Sequence, residues 1–276
     1  MRVHVISDME GVAGIVRWQQ VSSGEDMYEE GRRLYTEEIN AAVRGAKAAG
    51  ATEVVVMDCH GAGKGHMFNS LIPDMLHADC EYVVQDEWTA YTEFLERGCD
   101  AAVFIGMHAR AGTLDGVMNH TVSGRSWNNL SFNGTLVGET GINAALCGTW
   151  GCPVVLVTGD EAVCREAREL LGDGLRTVAV KRGLGAKSAR HVAPLRAREL
   201  IEEATRDALI ARHEMQPYDP GRPCEIRVEY KLTGVVEKLR RVPDVEIVDA
   251  RTVVARGDDW WSAWQKFFFY DSWIDV

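Results

Sequence analysis

The chain has 276 residues, 46% of them hydrophobic and 26% charged, with 30 basic against 41 acidic side chains and a formal charge of −11. This is the balance of a globular protein with a full core, and it excludes a disordered, collagenous or wholly coiled-coil chain. The acidic excess argues against a nucleic-acid binder and against docking on an anionic membrane. No apolar run approaches the roughly 20 residues that span a bilayer. The opening MRVHVISDMEG holds no apolar stretch with a cleavage site, and the seven cysteines form no CxxC pair. Reduced thiols and a cytoplasmic location are therefore expected.

Met1–Ser7 alternates as a strand and runs into a polar loop. Asp26–Ala49 has helical periodicity and stops at Gly50. Glu53–Met57 and Tyr82–Gln85 read as short strands, Glu87–Glu96 as a helix and Ala101–Gly106 as a buried strand. Val117–Ser123 and Leu130–Val137 read as strands joined by Gly124–Asn129. Then come a helix at Glu139–Trp150, a strand at Val154–Thr158, a helix over Asp160–Leu171 with Asp160 as its N-cap, and a strand at Thr177–Lys181. This rhythm implies an α/β protein, with a mostly parallel three-layer sheet-and-helix domain over residues 1–190.

Beyond Gly183 the pattern changes. Gly183–Gly185 reads as a turn, Val192–Arg212 as a long amphipathic helix, and Met215–Pro223, with three of the seven prolines, as a linker. A strand at Cys224–Tyr230, a helix at Thr233–Arg240, strands at Val245–Asp249 and Thr252–Arg256 and a helix at Asp258–Phe269 predict a smaller α+β subdomain over residues 191–276. Its end is rich in aromatics: Trp260, Trp261, Trp264, Phe267, Phe268, Phe269, Tyr270 and Trp273. A helix buried on its own subdomain is the first expectation there; a subunit interface or channel wall is the second.

Three strand ends deliver acids or imidazoles: Asp8-Met9-Glu10-Gly11, Asp58-Cys59-His60-Gly61 and Gly106-Met107-His108-Ala109-Arg110. In an open parallel sheet, ligands bind beyond the carboxyl ends of the strands, where these groups converge. Asp8 and Glu10 are two apart, so in extended backbone both carboxylates point to one side. Carboxylates that close repel unless a cation neutralises them, and carboxylate with imidazole is a set that suits zinc. His120 and Glu139 are further candidates; an acid at a helix start serves either as a dipole complement or as a ligand. Gly61–His66 lacks P-loop spacing and reads as a flexible loop in which Lys64 or His66 can touch substrate.

Five motifs in order carry a resemblance: Ser7–Gly11, Asp58–His60, Gly106–Ala111, Gly116–His120 and Val137–Ala144. Together they resemble the D-aminopeptidase DppA family, the zinc-dependent M55 peptidases, over nearly the whole chain and most clearly over residues 1–180. The resemblance implies two Zn²⁺ per chain, with manganese or cobalt as other metals for the same site. It implies that Asp8 bridges both ions, that Glu10 and His108 complete one, and that His60 and Glu139 complete the other. His120 is then the catalytic residue, Asp58 a partner orienting an imidazole, and Cys59 not a ligand. The implied activity is hydrolysis of short peptides, D-Ala-D-Ala among them, by a hydroxide that the two zinc ions activate. A ring-shaped homo-oligomer, a homodecamer, with sites facing an inner channel is implied as well. The competing readings are a metal-dependent amidase or esterase on a small non-peptide substrate, and a non-catalytic, transport-associated peptide-binding protein.

Overall fold

The computed structural model describes residues 1–63, 65–85 and 91–266. It opens with β1 (Arg2–Ser7), α1 (Tyr28–Ala48) and β2 (Glu53–Asp58). β3 (Glu81–Val83), α2 (Glu93–Glu96), β4 (Ala101–Met107), β5 (Trp127–Phe132), β6 (Thr135–Val137) and α3 (Glu139–Thr149) follow. Next come β7 (Val154–Asp160), α4 (Glu161–Leu171), β8 (Arg176–Gly185), β9 (Ser188–His191) and α5 (Pro194–Ile210). The chain continues through β10 (Cys224–Tyr230), α6 (Thr233–Leu239), β11 (Val245–Ile247), β12 (Thr252–Gly257) and α7 (Trp260–Trp264).

The main sheet has the order β3-β2-β1-β4-β7-β8-β9. Every pairing in it is parallel except that of β8 with β9. Its central strands are mainly apolar because both faces are covered; all seven residues of β4 and of β7 are buried, the polar Thr158 and Asp160 at the end of β7 included. α1 packs with α5, and α3 with α4, as two helical layers. The chain steps from β1 to β2 in one direction and from β4 to β7 and β8 in the other. Right-handed crossovers then put α1 and α3 on opposite faces, so β1 and β4 flank the point where the strand order reverses.

The mixed architecture matches the expectation, with differences. β8 runs on past Lys181 into a hairpin with β9, so Gly183–Gly185 is strand, not a turn before a helix. Residues 117–123 form turns: Asp160 Oδ2 accepts the Val117 N–H at 2.7 Å, and Met118 and Val122 take positive φ. The helix expected at Glu87–Glu96 is only Glu93–Glu96 among the described residues; residues 87–90 lie outside them, as does Lys64.

The second sheet is antiparallel, with the order β11-β12-β10-β5-β6. It therefore draws strands from residues 127–137 as well as from beyond residue 190, and α5 packs on α1 of the main layer. α7 lies on this sheet: Trp260 and Trp264 stack at 5.2 Å and both meet the Phe132 ring edge-on. That is the buried-helix expectation for the aromatic end; Phe267–Tyr270 and Trp273 lie outside the described residues.

Candidate metal centre

Asp8 directly follows β1, His60 lies two residues past the end of β2, and His108 directly follows β4. Two glycines make their approach close. A Cβ on Gly106 would sit 2.1 Å from the Asp8 carbonyl, and one on Gly11 would sit 1.9 Å from the Met107 carbonyl. The bare backbone lets the Asp8–Gly11 segment lie on the end of β4, where Asp8 N–H donates to Ile105 O at 2.9 Å and Gly11 N–H to Gly106 O at 2.8 Å. Gly138 does the same for Glu139: a Cβ there would meet the Arg110 Cβ at 2.8 Å.

The side chains converge as the sequence predicts. His60 Nδ1 lies 3.1 Å from Asp8 Oδ1 and 3.0 Å from Glu10 Oε2. His108 Nε2 lies 3.3 Å from Asp8 Oδ2 and 3.3 Å from Glu139 Oε1. His120 Nε2 is 3.7 Å from the same Glu139 oxygen, and its ring stacks on His108 at 4.1 Å. Two sets of donor atoms each fall within 4.8 Å of one another: Asp8, Glu10 and His108, and His108, His120 and Glu139. The shortest contacts pair His60 with Glu10 and His108 with Glu139, through opposite oxygens of Asp8. The resemblance pairs them the other way round.

Backbone carbonyls fix the imidazole tautomers. A carbonyl only accepts, so the nitrogen facing it carries the proton. His60 Nε2 donates to Val21 O at 2.7 Å, His108 Nδ1 to Ala109 O at 2.9 Å and His120 Nδ1 to Met118 O at 2.9 Å. In the neutral state each ring therefore turns a lone pair toward the acids. A lone pair against a carboxylate oxygen repels unless a proton or a metal ion lies between them. Asp8, Glu10, His60 and His108 are all buried, and Glu10 Oε2 and His108 Nε2 have no hydrogen-bond partner. Buried orphan atoms of a ligating kind, aimed at one spot, fit a metal cation.

Without a cation the site holds protons instead. Burial opposes charge on His60 and His108, but Glu10, Glu139 and Asp8 outweigh it and raise both imidazoles well above their ordinary value. Burial likewise opposes charge on Asp8 and Glu139, and the imidazoles still hold both below the usual carboxylate range. These side chains would have to give up those protons to hold a metal ion.

Asp58 does not touch an imidazole. Its Oδ1 accepts the His60 backbone N–H at 2.9 Å and the Tyr35 hydroxyl at 2.9 Å, and its Oδ2 accepts the Ser70 N–H at 2.5 Å, so it shapes the loop that carries His60. Cys59 is kept as a thiol, because burial and the nearby Asp58 push its pKa well up. Glu139 Oε1 also accepts the Val122 N–H at 2.8 Å, which orients that carboxylate.

Sequence reasoning missed three supports. The buried Lys181 ammonium donates to the carbonyls of Glu10 (2.5 Å), Val12 (2.9 Å) and Ile15 (2.7 Å). The buried Glu38 accepts the Ala13 N–H at 2.9 Å. Trp18 meets the His120 ring edge-on at 5.4 Å. Gly11 and Gly106, inside motifs already singled out, were the legible signal of close backbone approach; Lys181 and Glu38 had none.

A switch-point cluster of three carboxylates and two tautomer-fixed imidazoles, with a third imidazole stacked beside it, gives this α/β protein a donor set that could hold a metal ion. The family model of M55 peptidases, described as D-aminopeptidase, matches residues 1–269, and the chain belongs to that family. It is similar to the D-aminopeptidase of Bacillus subtilis (strain 168), 32% identical over 255 residues, which are 92% of this chain and 90% of that protein. Among solved structures it is similar to the Zn-dependent D-aminopeptidase DppA from Bacillus subtilis, described as a self-compartmentalizing protease. The TM-score is 0.90 at 30% identity, covering 100% of this chain and 99% of that one.

Proposed function

We propose that this protein is a zinc-dependent aminopeptidase that hydrolyses short peptides, with D-amino-acid peptides such as D-Ala-D-Ala as its substrate class. The observation that carries the reading is the buried cluster in which the ligating nitrogens of His60 and His108 face Asp8, Glu10 and Glu139. The family and the Zn-dependent relative support it.

In this reading Asp8, Glu10, His60, His108 and Glu139 would hold two zinc ions, with Asp8 turning one oxygen toward His60 and the other toward His108. Manganese or cobalt would use the same donors, and the imidazole–carboxylate set favours zinc. When bound, the ions supply Lewis acidity that polarises the scissile carbonyl and brings the pKa of water near neutrality. Three carboxylates leave about one positive charge on the pair of divalent ions. His120 moves the proton: its Nδ1–H is tied to Met118 O, which leaves Nε2 to take a proton from the attacking water and return it to the leaving amine.

A ring-shaped homo-oligomer, a homodecamer, that admits only short peptides belongs to the same proposal. The self-compartmentalizing relative supports it. A cytoplasmic location is part of the proposal too, and the seven free cysteines support it; among the described residues no helix is long and apolar enough to cross a membrane.

The test is amino-acid release from D-Ala-D-Ala and L-Ala-L-Ala before and after chelation and zinc re-addition. Chelator-sensitive cleavage of the D-peptide that zinc restores is the expected result. Turnover of simple esters or non-peptide amides without peptide cleavage, or metal binding without any turnover, would overturn the reading.

A further inference from the structure

We propose that Trp18 walls the subsite for the substrate residue that leaves after cleavage, and that it selects for an apolar or aromatic side chain there; this rests on the aminopeptidase reading above. Trp18 is the first residue of a 3-10 turn, Trp18–Gln20, on the long connection between β1 and α1. Its side chain is 37% exposed, beside a cluster whose other members are largely buried. An exposed indole at the mouth of a buried polar site offers flat apolar surface to whatever enters.

The turn is held firmly. The Gln20 carboxamide donates to Gly14 O at 2.8 Å and accepts the Val16 N–H at 3.0 Å. The Gln20 carbonyl lies so near Gly31 of α1 that a Cβ there would approach it to 1.8 Å. Val21 O accepts from the His60 imidazole at 2.7 Å, and Ser23 N–H donates to Ala62 O at 2.7 Å. One short segment therefore fixes the tautomer of His60 and presents the Trp18 indole beside His120.

The placement follows from the rings. His108 is stacked with His120 at 4.1 Å and 12°, while Trp18 meets the same ring at 5.4 Å and 68°. His108 belongs to the carboxylate cluster, so it takes up the His120 face that looks on the ligands. A leaving amine that takes its proton from His120 Nε2 must come within about 3 Å of it. The side chain next to that amine then lies in reach of the indole. Aromatic contact of this kind is worth about three- to tenfold in binding.

The experiment compares wild type, Trp18→Ala and Trp18→Phe, each with its zinc content measured, on D-Ala-D-Phe, D-Ala-D-Ala and D-Ala amide, which has no side chain after the scissile bond. The expected result is a fall of about tenfold in the ratio of kcat/KM for D-Ala-D-Phe to that for D-Ala amide in Trp18→Ala. D-Ala-D-Ala should fall between the two, and Trp18→Phe should recover most of the ratio. An equal loss on all three substrates would mean that Trp18 only steadies His120, and no loss would mean that it touches nothing; either overturns the assignment while leaving the reaction intact. A wild-type protein that turns over none of the three overturns the proposed reaction itself, and this subsite with it.

Discussion

Lys181→Met removes a buried ammonium while keeping the length and apolar body of the side chain. Lys181 is 2% exposed, and its three N–H groups are all used, on the carbonyls of Glu10, Val12 and Ile15. These carbonyls belong to the loop that carries Asp8 and Glu10 away from β1. Three hydrogen bonds from a charged donor contribute roughly 5–9 kcal/mol together. Burial opposes the charge, lowering the lysine from 10.5 to about 8 even with Asp160 and Glu38 nearby, an offset of about 3 kcal/mol. The difference, roughly 2–6 kcal/mol, is the expected loss of stability, since methionine leaves the carbonyls buried without a donor. Glu38 would respond as well: burial already raises it to about 7, and Lys181 is one of the charges that pull it down, so the variant should hold it protonated at neutral pH. The assay is equilibrium urea unfolding of the metal-free protein, paired with zinc affinity by competition against a chelator. Zinc affinity should fall about 10- to 100-fold, the usual effect of losing a support behind a ligand. A stability loss under about 1 kcal/mol with unchanged zinc affinity would refute the reasoning, because the carbonyls would then have found other donors at no cost.

Three other outcomes follow from the same geometry. His120→Ala should lower kcat by about 10²–10⁴-fold while zinc stays bound; a near wild-type rate would remove His120 from the proton path. His60→Ala and Glu139→Ala should each lower zinc content together with rate, and full zinc occupancy in both would contradict their assignment as ligands. His4, buried in β1 with Nδ1 on Val55 O at 3.1 Å, is lowered by burial from 6.5 to about 4. Its folded value lies below its unfolded one, so between these pH values the unfolded chain binds the extra proton. Its contribution is complete above pH 6.5 and is lost as the pH falls toward 4, by about 3 kcal/mol at most. Urea unfolding of wild type and His4→Gln across that range should show the wild type losing more stability; parallel curves would contradict it.

The sequence made the strand ends legible because chemistry and topology coincide there. Asp8, His60 and His108 each follow a short apolar run, and parallel strands deliver such ends to one edge. The helix over residues 28–48 and the Asp160 cap, which accepts the Val163 N–H at 2.8 Å, were equally plain, since each is a local signal. What lies between distant segments was not. Residues 127–137 join an antiparallel sheet with β10, roughly 100 residues further on, and no local pattern announces that pairing. Residues 117–123 look like a strand by composition, but the Asp160 carboxylate and the positive φ at Met118 and Val122 bend them into turns. Lys181 follows Val178 and Val180 in alternation and so reads as an outward residue. It is buried because the Glu10–Ile15 loop folds over it, a fact of tertiary structure alone.

The central claim is a two-metal centre organised around Asp8, and zinc stoichiometry of the zinc-loaded, dialysed protein tests it most directly. The wild type should hold close to two zinc ions per chain. Asp8→Ala should hold almost none, because Asp8 presents one oxygen to His60 and the other to His108. A wild-type value near zero or one, or an Asp8→Ala variant that keeps both ions, would contradict the account.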